Sequence, residues 1–566
     1  MKRYKYSAYI RFLFLHNSFE KINPNLTFAE TTHLNTTYRQ TDNLMRQATK
    51  LNQIILLIQS LSKAEKRYIR LYTNLQNGDK QYRYLYDLAS EGLPAEQIYE
   101  RFCSQVNEKS FEMAAKHLYQ VLLDCLVQLR EKQDIQTSIF NYITKAGILF
   151  ERELFDNAFA ELEKAKKLAT TYENDPLLLL IYRTELKYLS TLGFEGISEK
   201  ELVGKQTQIN DVMKYARNTN LHLQLYDILK HRIIYKGYAR SNKQKENLND
   251  LVLSELNLIA NHSYQGFEAR KLHLLFQATY YLNTGNYKSA IRFYQELIAL
   301  FEANRHLILN PPIYYLSAIE GVLDSLHIAG LYREMPFFLS KLEEIGTGNY
   351  PTEFLMEVQA RRYLYELSGL LNTGQFEAAA HLAETYADFL SKKAAMTGPE
   401  TQLKLALYSS ILYLCLEEPT KARKSMKKIL SSGKSFHTLP SYKTARLVNL
   451  LIQEELGNFD FFANEINSIK RAIGNEKQVY ATEKLLFRFL LAHPLPIYKK
   501  GRERLWQQYQ KNITHIRQDK YEKQLLKTFD FTAWIESKLT HIPLRKILMD
   551  STDSADGLTG IYPQKP

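Results

Sequence analysis

The chain has 566 residues, 45% of them hydrophobic, and a formal net charge of +13. That is ample material for a packed core, and the mild basic balance permits contact with nucleic acid or an acidic protein without demanding it. Only 22 Gly and 15 Pro, with few alternating β-branched runs, point to an almost wholly helical chain. Three scattered cysteines without CxxC or Cys/His metal spacing exclude a disulfide framework and fit a reducing compartment, read as the cytoplasm.

Residues 1–44 are polar, rich in Thr and Asn between Asn23 and Asn43, and lack helical periodicity. A disordered leader is expected there, with Met45 as an alternative start. Arg11 interrupts the early apolar run and no small-residue cleavage site follows, which argues against a signal peptide. Residues 45–135 read as a helical N-terminal domain. Leu51 to Leu61 is apolar at helical spacing, and Ser62 with Glu65 forms a capping box for a helix over Lys63–Leu75. Pro94 opens a short helix to Phe102, and a longer helix follows with Phe111, Ala114, Leu118, Leu122 and Cys125 on one face. The domain has two readings. One is a helical cap on whatever array follows. The other is a helix-turn-helix entering a DNA groove, with Lys109, Lys116 and His117 facing outward.

The middle of the chain is periodic. In Phe276–Phe301, Phe276, Ala278, Tyr281 and Leu282 share one helix face, Asn283-Thr284-Gly285-Asn286 breaks the helix, and Tyr287, Ala290, Ile291, Tyr294 and Leu297 form the apolar face of a second. Leu371-Asn372-Thr373-Gly374-Gln375-Phe376 repeats the turn almost letter for letter, followed by Ala379 and Ala383. Weaker matches place further turns at 153, 193, 237, 330, 417 and 457, so successive turns lie 40 to 48 residues apart. Pro176, Pro312, Pro351, Pro399 and Pro440 precede five of these turns by 17 to 23 residues, where each opens the first helix of a hairpin.

This order of small residue, Tyr, Gly, aromatic, Ala and aromatic resembles the tetratricopeptide repeat, most fully at 276–301 and 365–390 and more weakly over 136–475. The period exceeds the roughly 34 residues of that family. A HEAT-type repeat of roughly 40–47 residues is nearer in length but does not explain the Gly-x-aromatic-x-x-Ala pattern. The expected fold is therefore all-α: a right-handed superhelical solenoid of about eight elongated tetratricopeptide-like hairpins over 136–475, with helical N- and C-terminal caps. In that family the first helices line a concave groove that receives peptides. Carried across, the resemblance implies Thr279 and Asn283 from the Gly285 hairpin, and Arg361, Tyr365, Ser368 and Asn372 from the Gly374 hairpin, as groove residues. Asn283 and Asn372 would form an amide ladder, or else simply cap their own helices.

Residues 476–547 leave the period, hold both tryptophans, Trp506 and Trp534, and read as a closing cap. Residues 548–566 read as a disordered tail. No catalytic constellation, HExxH, GxSxG or phosphate loop occurs, so no enzyme activity, metal or cofactor is expected. His222 and His231 look partnerless on their helices. Basic groups occur at Lys421, Arg423, Lys424, Lys427 and Lys428, at Lys499, Lys500, Arg502 and Arg504, and at Lys230, His231, Arg232, Lys236 and Arg240. Such runs bind single-stranded nucleic acid when interleaved with aromatics, but serve more often as solvated helix faces. No apolar run has the length of a membrane span. The expected function is non-catalytic binding of a protein or peptide through the concave face. The alternative is a nucleic-acid-linked regulator with a helix-turn-helix-like N-terminal domain and a repeat sensor arm.

Overall fold

The computed structural model describes residues 50–75, 81–130, 134–260, 266–308, 311–431, 436, 439, 441–473, 479–492, 495–496 and 498–555. Among these residues the regular elements are all helical, with no strand. The expected leader 1–44, Pro440 and residues 556–566 lie outside the described residues. The chain divides into two compact units, Met1–Ala165 and Lys166–Pro566, with the division falling inside the helix Phe155–Thr171.

The first unit is built from amphipathic helices around one core. A helix over 50–60 is followed by Lys63–Leu75, Gln81–Ser90, Ala95–Gln105 and Glu108–Arg130. The capping box forms: Glu65 N–H donates to Ser62 Oγ at 3.2 Å, and Ser62 N–H donates to Glu65 Oε2 at 2.7 Å. Pro94 is the N-cap of Ala95–Gln105, where its missing N–H leaves nothing unsatisfied. The stripe read from sequence is the core: Phe111, Leu118, Leu122 and Cys125 are buried beside Phe102, and the Phe102 and Phe111 rings meet edge to face at 5.4 Å. Burying side chains of this size contributes about 1.5–3 kcal/mol each. The first repeat-like hairpin, Ile135–Glu151 with Phe155–Thr171, starts at Asp134, whose carboxylate accepts the Thr137 N–H. Its small residues Ala146, Ala158 and Ala165 are fully buried, so the helix backbones approach closely.

The second unit consists of helices that pack on their neighbours in chain order. Phe267–Asn283 packs on Tyr287–Ala303, which packs on Ile313–Ala329. Met335–Gly346 packs on Thr352–Asn372, which packs on Pro399–Cys415, and the latter on Pro419–Leu430 and Tyr442–Glu455. Each of the eight anticipated turns contains a residue with positive φ: Glu153, Gly193, Gly237, Gly285, Gly330, Gly374, Glu417 and Gly457. Pro176 and Pro399 fall in the first turn of their helices, and Pro312 and Pro351 are N-caps.

Two boundaries differ from the sequence reading. The second helix of the Gly193 hairpin and the first helix of the Gly237 hairpin are one continuous helix, Glu199–Lys236, of 38 residues. Nothing within it breaks a helix except Gly204, which costs only about 1 kcal/mol relative to Ala. At the other end, the expected disordered tail begins inside a helix, Leu544–Ala555, in which Ile547 and Leu548 are buried. Ala481–Leu490, Lys499–Gln518 and Phe531–Thr540 precede it. Trp534 is buried edge-on to Phe489 at 5.7 Å, and Trp506 is half-buried against the same core. The large aromatics thus close the apolar face left by Tyr442–Glu455 and Phe461–Ile473.

Candidate functional site

The six residues implied by the repeat resemblance lie on Phe267–Asn283 and Thr352–Asn372. Their polar atoms are largely engaged within the chain. Asn283 is buried, and its Oδ1 accepts the Ala239 N–H at 3.1 Å. It lines a cavity of about 90 Å³ beside Tyr238 and Leu248. Thr279 faces Tyr226 and Tyr294. Arg361 Nε lies 2.6 Å from Glu320 Oε1, and its Nη2 lies 3.6 Å from Glu357 Oε2. Tyr365 Oη donates to the Glu320 carbonyl at 3.3 Å, and Ser368 Oγ donates to the Tyr365 carbonyl at 3.0 Å. The Asn372 Nδ2 amide lies 3.0 Å from the Ser368 carbonyl, the Lys527 carbonyl and His327 Nε2. Asn283 and Asn372 do not form a ladder open to a partner. They tie neighbouring parts of the chain together.

Much of that tying involves one segment, residues 519–538, which crosses the hairpin turns in their own order. Tyr287 Oη donates to the Lys520 carbonyl at 2.6 Å, and the Lys520 side chain lies against Gly285. Gln524 Nε2 donates to the Leu282 carbonyl at 3.1 Å, in the last turn of its helix, where the Gly285 N–H also donates at 3.4 Å. Lys527 Nζ lies 3.3 Å from Asp324 Oδ1. Trp534 Nε1 then donates to Glu455 Oε1 at 3.0 Å, and Lys538 Nζ lies 2.6 Å from Glu455 Oε2. Glu522 caps another helix across space: its carboxylate accepts the Ala481 N–H at 2.7 Å and the Thr482 N–H at 3.0 Å. After His541, in left-handed conformation, the chain returns so that the Arg545 carbonyl and Met549 pack on Gly374. The region anticipated as a cap therefore also straps the Gly285, Gly330 and Gly374 hairpins.

The strap reshapes the electrostatics it covers. Burial, reinforced by the Lys527 ammonium, pushes the His327 imidazole down to about 4. Burial would raise Asp324, but Lys527 and Lys404 outweigh it and hold the carboxyl below its usual range. Burial pushes Glu320 up, and Arg361 offsets this only in part. Elsewhere in the unit, His222 has a partner that its sequence neighbourhood does not announce. Fully buried Glu255 lies 2.6 Å from His273 Nδ1 and 3.5 Å from His222 Nδ1. Burial alone would raise Glu255, yet its bonds to the two imidazoles hold it low. The three residues come from three helices, Glu199–Lys236, Asn249–Ala260 and Phe267–Asn283, so no local spacing could reveal them. Among the described residues no group of His, Cys, Asp and Glu has the arrangement of a metal site.

The basic groups separate in the structure. In the 230–240 group, Arg232 forms a bidentate pair with Asp250 at 2.6 and 2.7 Å, and Arg240 stacks on the Tyr480 ring at 4.3 Å. In the 499–504 group, Arg502 Nε donates to the Pro496 carbonyl at 2.7 Å. The group on Pro419–Leu430 instead borders a cleft of about 1230 Å³ shared with Tyr442–Glu455 and Phe461–Ile473. Arg423, Lys424 and Lys427 line one wall, and Lys443, Arg446, Asn449 and Gln453 another. Sequence reasoning found the first wall and missed the second. Its signal was Arg446, Asn449 and Gln453 at 3-4 spacing on one side of the helix.

In the N-terminal unit, the pair of helices read as a helix-turn-helix is linked by only Val106 and Asn107, where that motif has a turn of roughly three to four residues. Lys116 and His117 are exposed, and the His117 ring meets Tyr82 edge-on at 4.6 Å. The Lys109 side chain lies outside the described residues. No helix among the described residues is long and apolar enough to cross a membrane. Compared with protein-family models, with curated proteins and with solved structures, the chain matches none of them.

Proposed function

We propose that this protein is a non-catalytic scaffold that binds a protein or peptide, acting in the cytoplasm without a cofactor. Its architecture in this reading is a right-handed solenoid of elongated tetratricopeptide-like hairpins, closed at the C-terminal end by its own strap. The observation that carries the reading is the serial packing of the first helices. Phe267–Asn283 touches Ile313–Ala329, which touches Thr352–Asn372, then Pro399–Cys415, then Tyr442–Glu455. Stacking of this kind produces a long modular surface, whose use is recognition of an extended partner. The binding region shifts from the Asn283/Asn372 positions, which the chain itself engages, toward the later hairpins.

The test is capture of partners from nuclease-treated native lysate by the full chain, followed by cross-linking and mapping of the linked residues. A protein recovered after nuclease treatment and cross-linked to residues 267–473 is the expected result. Recovery that vanishes with nuclease, falls steeply with salt and maps to residues 50–130 would overturn the scaffold reading in favour of a nucleic-acid-linked regulator.

A further inference from the structure

The cleft beside Pro419–Leu430 differs in character from the rest of the second unit. Arg423, Lys424 and Lys427 project from exposed positions on one helix face. None of the three has an acidic partner among the described residues, whereas Lys421 on the same helix is paired with Glu418 at 2.8 Å. Across the cleft, Lys443 lies 3.0 Å from Glu483, and Arg446 lies 2.7 Å from Glu465. The lining thus sets five cations against one carboxylate, Glu465, and that one is already held by Arg446. Three unpaired cations converging on a concavity create a positive potential that no group of the lining neutralises. The field favours an anionic ligand and raises its encounter rate.

The floor narrows the chemistry. Leu430, Leu439 and Ile469 contribute aliphatic surface. The two aromatic residues of the lining, Tyr442 and Phe461, are half-buried and packed against the core. Binding of single-stranded nucleic acid relies on aromatic faces on which bases stack. Here the cations instead flank aliphatic side chains, while the Asn449 and Gln453 amides of the same wall are engaged within the chain: Gln453 Nε2 donates to Asn449 Oδ1 at 3.4 Å, and Gln453 Oε1 accepts from Asn458 Nδ2 at 2.7 Å. A volume of about 1230 Å³ far exceeds a single phosphate and accommodates several residues of chain.

We infer that this cleft binds an acidic peptide segment in which Asp or Glu alternates with aliphatic residues. The carboxylates meet Arg423, Lys424 and Lys427, and the aliphatic side chains cover the floor. The inference rests on the scaffold reading above and assigns it a binding site and a ligand class.

The test is fluorescence anisotropy with the full chain and four labelled twelve-residue probes. These are an alternating Asp/Leu peptide, an alternating Lys/Leu peptide, an alternating Ser/Leu peptide and a single-stranded DNA of equal length. The Asp/Leu peptide is expected to bind best and to weaken as salt rises. The triple variant R423E/K424E/K427E should weaken it by at least about tenfold, since all three rim charges are reversed rather than merely removed. The milder R423Q/K424Q/K427Q should give an intermediate loss. A control variant, K499E/K500E/R504E, carries the same charge change on another helix and should bind like the wild type. All six altered side chains are exposed, so circular dichroism should be unchanged. No binding of the Asp/Leu peptide by the wild type, an equal loss in the control, or tighter binding of DNA would each overturn the inference. A nuclease-resistant partner cross-linked elsewhere on residues 267–473 would leave the scaffold reading standing while this site failed.

Discussion

The side-chain amide of Asn372 donates to the backbone carbonyl of Lys527, 155 residues further along the chain, at 3.0 Å. The same nitrogen lies 3.0 Å from the Ser368 carbonyl and from His327 Nε2. One side chain therefore satisfies its own helix end, a neighbouring hairpin and the strap. Asn372→Ala leaves the Lys527 carbonyl without this donor in a partly buried position. The expected loss is about 1–3 kcal/mol, read as a shift of the urea midpoint. Asn372→Asp, which removes the donor but keeps the shape, should lose as much. An unchanged midpoint in both would show that the contact is not made in solution.

Gly374 has φ +73°, and a Cβ there would lie 2.8 Å from the Arg545 carbonyl oxygen. Gly374→Ala meets both a left-handed backbone, costing about 1–2 kcal/mol for an L-residue, and a backbone atom that cannot rotate aside. Destabilisation should come with faster proteolytic cleavage in residues 540–555, because the return helix loses its seat. Gly457, also at positive φ (+72°) but with open space around it, should lose only the conformational part on the same substitution.

The two anticipated turns that lack glycine supply the converse case. Glu417 has φ 60° and is exposed. Glu417→Gly relieves a conformation unfavourable to a residue with a Cβ, at the cost of a more flexible unfolded chain. A net stabilisation of about 0.5–1 kcal/mol is expected, measured by chemical denaturation. A destabilised variant would contradict this account of the turn.

Glu522 holds the first N–H groups of Ala481–Leu490 from 40 and 41 residues away. Replacing it with Ala orphans two helix N-terminal donors and removes a negative charge from the positive end of the helix. Loss of about 1–3 kcal/mol is expected, with hydrogen exchange accelerated at the amides of Ala481 and Thr482 ahead of those in Phe267–Asn283.

His327 is buried, and its folded value of about 4 lies below the ordinary 6.5. Between those two values the unfolded chain binds the proton and the folded chain does not. Stability from this group is therefore complete above pH 6.5 and falls as pH drops toward 4, by roughly 3 kcal/mol over the window. Asp175, Glu320, Glu454 and Glu483 are shifted upward, chiefly by burial, and act in the opposite sense. The informative quantity is thus the difference between wild type and His327→Gln, whose stability–pH curves should converge as pH falls from 6.5 to 4. Parallel curves would exclude a neutral, buried imidazole.

Features that depend on near neighbours could be read from the order of residues alone. Helical periodicity, the Ser62/Glu65 capping box, the helix-opening Pro176, Pro312, Pro351 and Pro399 and the eight turns were legible, because each is set by residues within a few positions of one another. That held even for Glu153 and Glu417, where phase alone located a left-handed residue without glycine. Tertiary structure decided everything that needed a distant partner. Asn283 and Asn372 have side chains equally suited to a peptide ligand or to the chain's own backbone. The sequence could not say that residues 519–538 would lie across the turns and take up Asn372. His222, Glu255 and His273 became a buried cluster because three helices converge, and the second wall of the basic cleft became a wall because Tyr442–Glu455 stacks on Pro419–Leu430. Local interactions specify the repeating unit, whereas the surface that a stack of such units presents depends on which faces the chain itself covers.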